Sequence, residues 1–103
     1  MENNSQENQE LSIELTEEVA EGTYSNLAII THSSTEFVVD FVRIMPGVPK
    51  AKVKSRIILT PEHAKRLLGA LQDNIVRFEA QNGTIKTNEN SLPLNFGGPT
   101  GEA

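Results

Sequence analysis

The segment EFVVDFVRIM (Glu36–Met45) limits the fold more than any other stretch of the chain. Side chains alternate across a β-strand, so Phe37, Val39 and Phe41 share one face and Val38, Val42 and Ile44 the other, the second interrupted by Asp40. Its density of β-branched and aromatic residues favours a strand over a helix. A sheet built on such a strand needs a cover on both faces, and one helix covers only one. A partner subunit is the expected cover for the other. Asp40 must be exposed, paired or at an interface, because an unpaired carboxylate is costly to bury. Arg43, Lys54 and Arg56 are its candidate partners.

The remaining patterns arrange themselves around this strand. LSIELTEE alternates with Leu11, Ile13 and Leu15 on one side and Ser12, Glu14 and Thr16 on the other, which predicts a half-buried first strand ending before Gly22. YSNLAIITH (Tyr24–His32) predicts a second strand, and SST a turn into Glu36–Met45 as the third. PGVP (Pro46–Pro49) is a loop by composition, and KAKVKSRIIL (Lys50–Leu59) a fourth strand. In that strand Val53, Ser55, Ile57 and Leu59 are expected to face inward, with Lys52, Lys54 and Arg56 opposite. Thr60, Pro61 and Glu62 are a helix start: a capping hydroxyl, a proline suited to the first helical position, and an acid at the positive end. Ala64, Leu68, Leu71, Ile75 and Phe78 then recur at intervals of four and three, widened by Leu67 and Val76, until Asn82-Gly83 signals the end.

These elements predict an α+β fold: a four-stranded antiparallel meander followed by one long C-terminal helix packed on the sheet. Residues 11–83 form the single β-β-β-β-α domain. Residues 1–10 are expected to be a disordered acidic leader and residues 84–103 a flexible Gly/Pro-rich tail. So small a folded part buries only about 60% of its unfolded surface, which makes it marginal by itself.

Composition excludes several function classes. There is no cysteine for a disulfide, thiolate nucleophile or cysteine metal cage, and the chain has two histidines, one tyrosine and no tryptophan. No metal, cofactor or catalytic residue is assigned. His63 reads as an exposed first-turn residue, and His32-Ser33-Ser34-Thr35-Glu36 as an ordinary turn rather than a catalytic cluster. The acidic start MENNSQENQE is unlike a secretory signal, and no apolar run reaches the roughly 20 residues a membrane span requires. A soluble, cytoplasmic protein is the expectation.

Charge is distributed unevenly. Residues 1–21 carry seven acids and no base, whereas residues 22–83 carry five acids against eight bases. Lys50, Lys52, Lys54 and Arg56 form a basic stripe at period two, extended by Lys65 and Arg66 on the first helical turns. Such a stripe can follow a phosphate backbone, although it lacks the interleaved aromatics of single-strand binders. Lysines along a strand edge also guard against aggregation, and the acidic leader offers them an internal or intersubunit partner.

The segments HSSTEFVVDF, SRIILTPEHAKRLLGAL and NIVRFEAQNG, within residues 12–83, resemble a bacterial family of short proteins classed as domain of unknown function 3467. That resemblance implies no activity, cofactor or site residue. More loosely, strands followed by a helix look like the SecB-type export chaperones, whose likeness implies tetramer assembly through sheets and helices and nothing about activity. The sequence thus predicts a non-enzymatic, self-associating binding or adaptor domain, a dimer or tetramer open to a further protein partner. The competing expectation is nucleic-acid binding through the basic stripe.

Overall fold

The computed structural model describes residues 10–87, which run in the order α1 (Glu17–Ala20), β1 (Leu27–His32), β2 (Phe37–Arg43), β3 (Lys52–Leu59) and α2 (Pro61–Asn82). The strands form one antiparallel sheet in the order β1-β2-β3, so β2, the segment apolar on both faces, is central. Each connection is closed by the residue chemistry it contains. Between β1 and β2, the Ser33 amide donates to the Glu36 carbonyl at 2.9 Å. The Ser33 hydroxyl accepts from the amides of Thr35 and Glu36, each at 3.2 Å. His32 stacks on Phe37 with ring centroids 5.4 Å apart. HSSTE is therefore a turn, held by its own hydroxyl and backbone groups. At the other end of the same pair, the Asn26 side chain accepts from the Ile44 amide at 2.9 Å and donates to the Ile44 carbonyl at 3.0 Å. It continues the ladder past the last backbone pairing. After β2, Pro46 and Gly47 occupy the centre of a turn in which the Val48 amide donates to the Met45 carbonyl at 3.2 Å, and Gly47 supplies the positive φ (79°) of a type II geometry.

The helix start obeys its sequence signals. Thr60 is extended, its hydroxyl accepts from the His63 amide at 3.1 Å, and Pro61 opens the helix. Gly83, at φ 90°, ends it with its amide donating to the Glu79 carbonyl at 2.9 Å.

Two expectations are corrected. The segment Leu11–Leu15 is not a strand, so the sheet has three strands and not four. Leu11 is 87% exposed and Ile13 85%. Alternation makes a strand only where an edge pairs it and a layer covers it, and within one chain this segment meets neither. Residues 16–22 form a helical turn instead: the Thr16 hydroxyl accepts from the Val19 amide at 3.3 Å, Glu17 and Glu18 occupy the first turn, and Gly22 (φ 81°) closes it.

Secondly, α2 does not pack on the sheet. It buries no residue, and Leu71 in the centre of its apolar stripe is 55% exposed. The link explains this. Only Thr60 separates Leu59 from Pro61, and a single extended residue is too short to fold the helix back across the sheet it has just left. The buried apolar set among the described residues is accordingly two side chains, Val39 (8% exposed) and Val42 (4%), both on the central strand. The expected leader and tail lie, apart from residues 10 and 84–87, outside the described residues.

Candidate interaction surface

Register assigns the side chains of the sheet to two faces. The rows Leu27-Val42-Val53, Ile29-Asp40-Arg56 and Thr31-Val38-Ile58 lie on one. The rows Ala28-Phe41-Ser55, Ile30-Val39-Ile57 and His32-Phe37-Leu59 lie on the other. The first face has an ion pair at its centre. Arg56 donates from Nε to Asp40 Oδ1 at 2.6 Å and from a terminal nitrogen to Oδ2 at 2.9 Å, a bidentate fork across directly opposed residues. This guanidinium, chiefly through its hydrogen bonds, holds the Asp40 carboxyl below its ordinary range. A buried aspartate in an apolar strand is thereby satisfied, and Arg56 is the partner that satisfies it. The second face carries no acid, lysine or arginine in those three rows. Across these rows it is an uncharged apolar surface centred on Ile30, Val39 and Ile57, with Ile30 and Ile57 exposed, and the Arg43-Lys52 pair bounds it at one end.

The basic stripe does not survive as a line. Phe41 pairs with Ser55 but Val42 pairs with Val53, which leaves Lys54 as the extra residue of a β-bulge. The bulge shifts the alternation by one. Val53 joins Arg56 on the first face, Lys52 comes opposite Arg43 near the sheet's end, and Arg56 is committed to Asp40. Of the six basic residues singled out in the sequence, three gather. Lys50, Lys52 and Lys54 line a shallow cleft of about 150 Å³ with Arg43, Met45 and Val48. Arg66 donates to Glu62 at 2.7 Å on the exposed side of α2, and Lys65 lies on the same exposed first turns, past the opposite end of β3 from Lys52. Arg43 is the member that sequence reading assigns only to Asp40. Hairpin register is the signal that finds it, since it sets two cations directly opposite each other, an unfavourable arrangement without an anion nearby.

The third surface is α2. Leu68, Leu71, Ile75 and Phe78 succeed one another at three- and four-residue intervals along one side, and all four are exposed. This is the spacing of a helix seam that meets another helix or a sheet. No group of three or more potential metal ligands occurs among the described residues, and His63 donates only its backbone amide to the Thr60 cap. No described helix is long and apolar enough to cross a membrane.

A family model described as a protein of unknown function (DUF3467) matches residues 1–87. The chain belongs to the DUF3467 family. No curated protein and no solved structure matches it. The matched span takes in all three surfaces of this DUF3467 protein, from the exposed Leu11–Leu15 segment through the sheet to the end of α2. The SecB-type likeness rests on the order of four strands and a packed helix; with three strands and a projecting helix it carries no further argument.

Proposed function

We propose that this protein is a non-catalytic, self-associating domain that acts as a binding or adaptor module in the cytoplasm. One observation carries the reading: among the described residues a single copy buries two apolar side chains while leaving the apolar sheet face and the α2 seam open. Fully burying a leucine, isoleucine, valine or phenylalanine stabilises by about 1.5–3 kcal/mol, so these surfaces hold most of the stabilisation the chain can reach. A second copy supplies matching apolar surface at the same concentration as the first. Multi-angle light scattering on the purified full chain tests this. A dimer or tetramer mass at micromolar concentration is expected, and a clean monomer sinks the proposal.

A second reading is favoured by one feature, the juxtaposition of Arg43 and Lys52 beside Lys50 and Lys54. Four cations around a shallow cleft suit a phosphate backbone, with contacts that position rather than specify sequence. Titration with labelled DNA and RNA at two salt concentrations separates the readings. Nucleic-acid binding requires an affinity that falls steeply with salt, and its absence removes the cluster from that role.

A further inference from the structure

We infer that residues 10–15 of one copy add as a strand to the outer edge of β3 in a second copy, with their glutamates set against the Arg43–Lys54 cluster. The inference rests on the self-association proposed above and names the segment and edge that execute it. Three independent features of the chain support it.

First, the segment has a strand's sequence and no strand's partner. Leu11, Ile13 and Leu15 alternate with polar residues, yet all three stand far out of contact, and residues 10–15 make no backbone hydrogen bond to the sheet. An extended alternating segment of this kind gains both ladder hydrogen bonds and apolar cover by joining a sheet. Secondly, the sheet order leaves one edge of β3 without a strand neighbour among the described residues. An open edge presents unpaired N–H and C=O groups that accept an added strand.

Thirdly, charge selects which edge and which copy. β1 has an open edge too, but Leu27–His32 carries no lysine, arginine or acid, whereas β3 and the loop before it bring Lys50, Lys52 and Lys54 beside Arg43. Those lysines oppose pairing of β3 with β3, because like charges would face one another. They favour an arm that carries Glu10 and Glu14 and leads into Glu17 and Glu18. Pairing within one chain would draw residues 16–26 over a sheet face, since the arm enters from the β1 side and β3 lies about 10 Å away across β2. Val19 and Tyr24 on that linker are exposed rather than laid on the sheet. Pairing with β3 of a neighbour needs no such crossing, and that is the arrangement we infer.

The chain has no cysteine, so engineered thiols report position cleanly. Ser12→Cys, Ser55→Cys and Thr31→Cys variants of the full chain keep every charged residue and mark the arm, β3 and β1. Ser12→Cys is mixed with Ser55→Cys, or with Thr31→Cys, and treated with a short bismaleimide. The expected result is a two-chain product in the Ser55→Cys mixture, several-fold more abundant than with Thr31→Cys and reduced by high salt. Preference for Thr31→Cys overturns the choice of edge. A doubly substituted Ser12→Cys/Ser55→Cys chain that cross-links only within itself overturns exchange between copies. Light scattering on the same variants separates the two levels of failure: an oligomer without the Ser55→Cys product refutes the arm alone, while a monomer refutes the arm and the self-association together.

Discussion

Leu71→Ala tests the assembly through a difference in sign. In one copy Leu71 sits mid-helix, 55% exposed, on an element that buries nothing. Truncating it there creates no cavity. Alanine is also the better helix former, so an isolated protomer would be unchanged or more helical by a few tenths of a kcal/mol. If the seam is covered by another copy, Leu71 is a core residue of the assembly and its loss costs about 2–5 kcal/mol at each occurrence. A two-fold interface contains the substitution twice. Even the lower figure then gives about 4 kcal/mol, a dissociation constant raised about a thousandfold. Sedimentation or light scattering across a dilution series reads the shift directly, and the urea midpoint becomes more dependent on protein concentration. A Leu71→Ala protein that dissociates no more readily than the parent, or is more stable at every concentration, would refute the claim that α2 is an interface.

Individual contacts set three other expectations. The Asp40 carboxyl is lowered below its ordinary value of 3.8 by Arg56, so the pair stabilises the fold fully above that pH and the contribution is lost as pH falls through the lowered folded value. The urea midpoint of the parent should therefore fall further between about pH 5 and about pH 2.5 than that of Asp40→Asn; equal acid sensitivity would show that the fork contributes nothing. Thr60→Ala removes the acceptor for the His63 amide and should cost about 1 kcal/mol of helix stability, seen as lower helicity by circular dichroism, with Thr60→Ser restoring it. His63→Ala should change stability by less than about 0.5 kcal/mol, because only its backbone is engaged in the cap.

The parts legible in the sequence are those decided by neighbours along the chain. Thr60-Pro61-Glu62 and Asn82-Gly83 delimit α2 because capping uses groups within four residues. HSSTE reads as a turn because Ser33 bonds the amides that come after it. Asp40 announces its need for a partner, although only the hairpin register chooses Arg56 over Arg43 and Lys54. The corrected expectations concern contacts that local pattern leaves undetermined. Leu11–Leu15 has the period of a strand, but period does not supply an edge to pair with. The α2 stripe has the period of a packed helix, but the one-residue link at Thr60 decides that it packs elsewhere. A lysine stripe at a constant period of two assumes an unbroken ladder, and one bulged residue, Lys54, shifts everything before it to the other side.

The first two of these corrections point the same way. Period-two apolar residues at 11–15 and seam-spaced residues on α2 each describe a buried element, and each is exposed in one copy. A sequence that keeps a burial pattern where a single chain offers no burial is consistent with burial between chains. The number of surfaces then limits the assembly. A two-fold dimer through the sheet face alone leaves both α2 seams open, and one through α2 alone leaves both sheet faces open. One dimer satisfies both only if α2 of each copy lies on the uncharged sheet face of the other, a reciprocal contact in which each apolar surface covers the one it lacks. Otherwise two different two-fold interfaces are required, which with closed symmetry gives a tetramer. Where both apolar surfaces are covered, the mass of the assembly decides its geometry as well as its existence. A dimer that covers both apolar surfaces places α2 across the partner's sheet face at the row Ile30-Val39-Ile57, where Leu71→Ala and Ile57→Ala weaken the same contact and are non-additive. In a tetramer the two substitutions act on separate interfaces and their costs add.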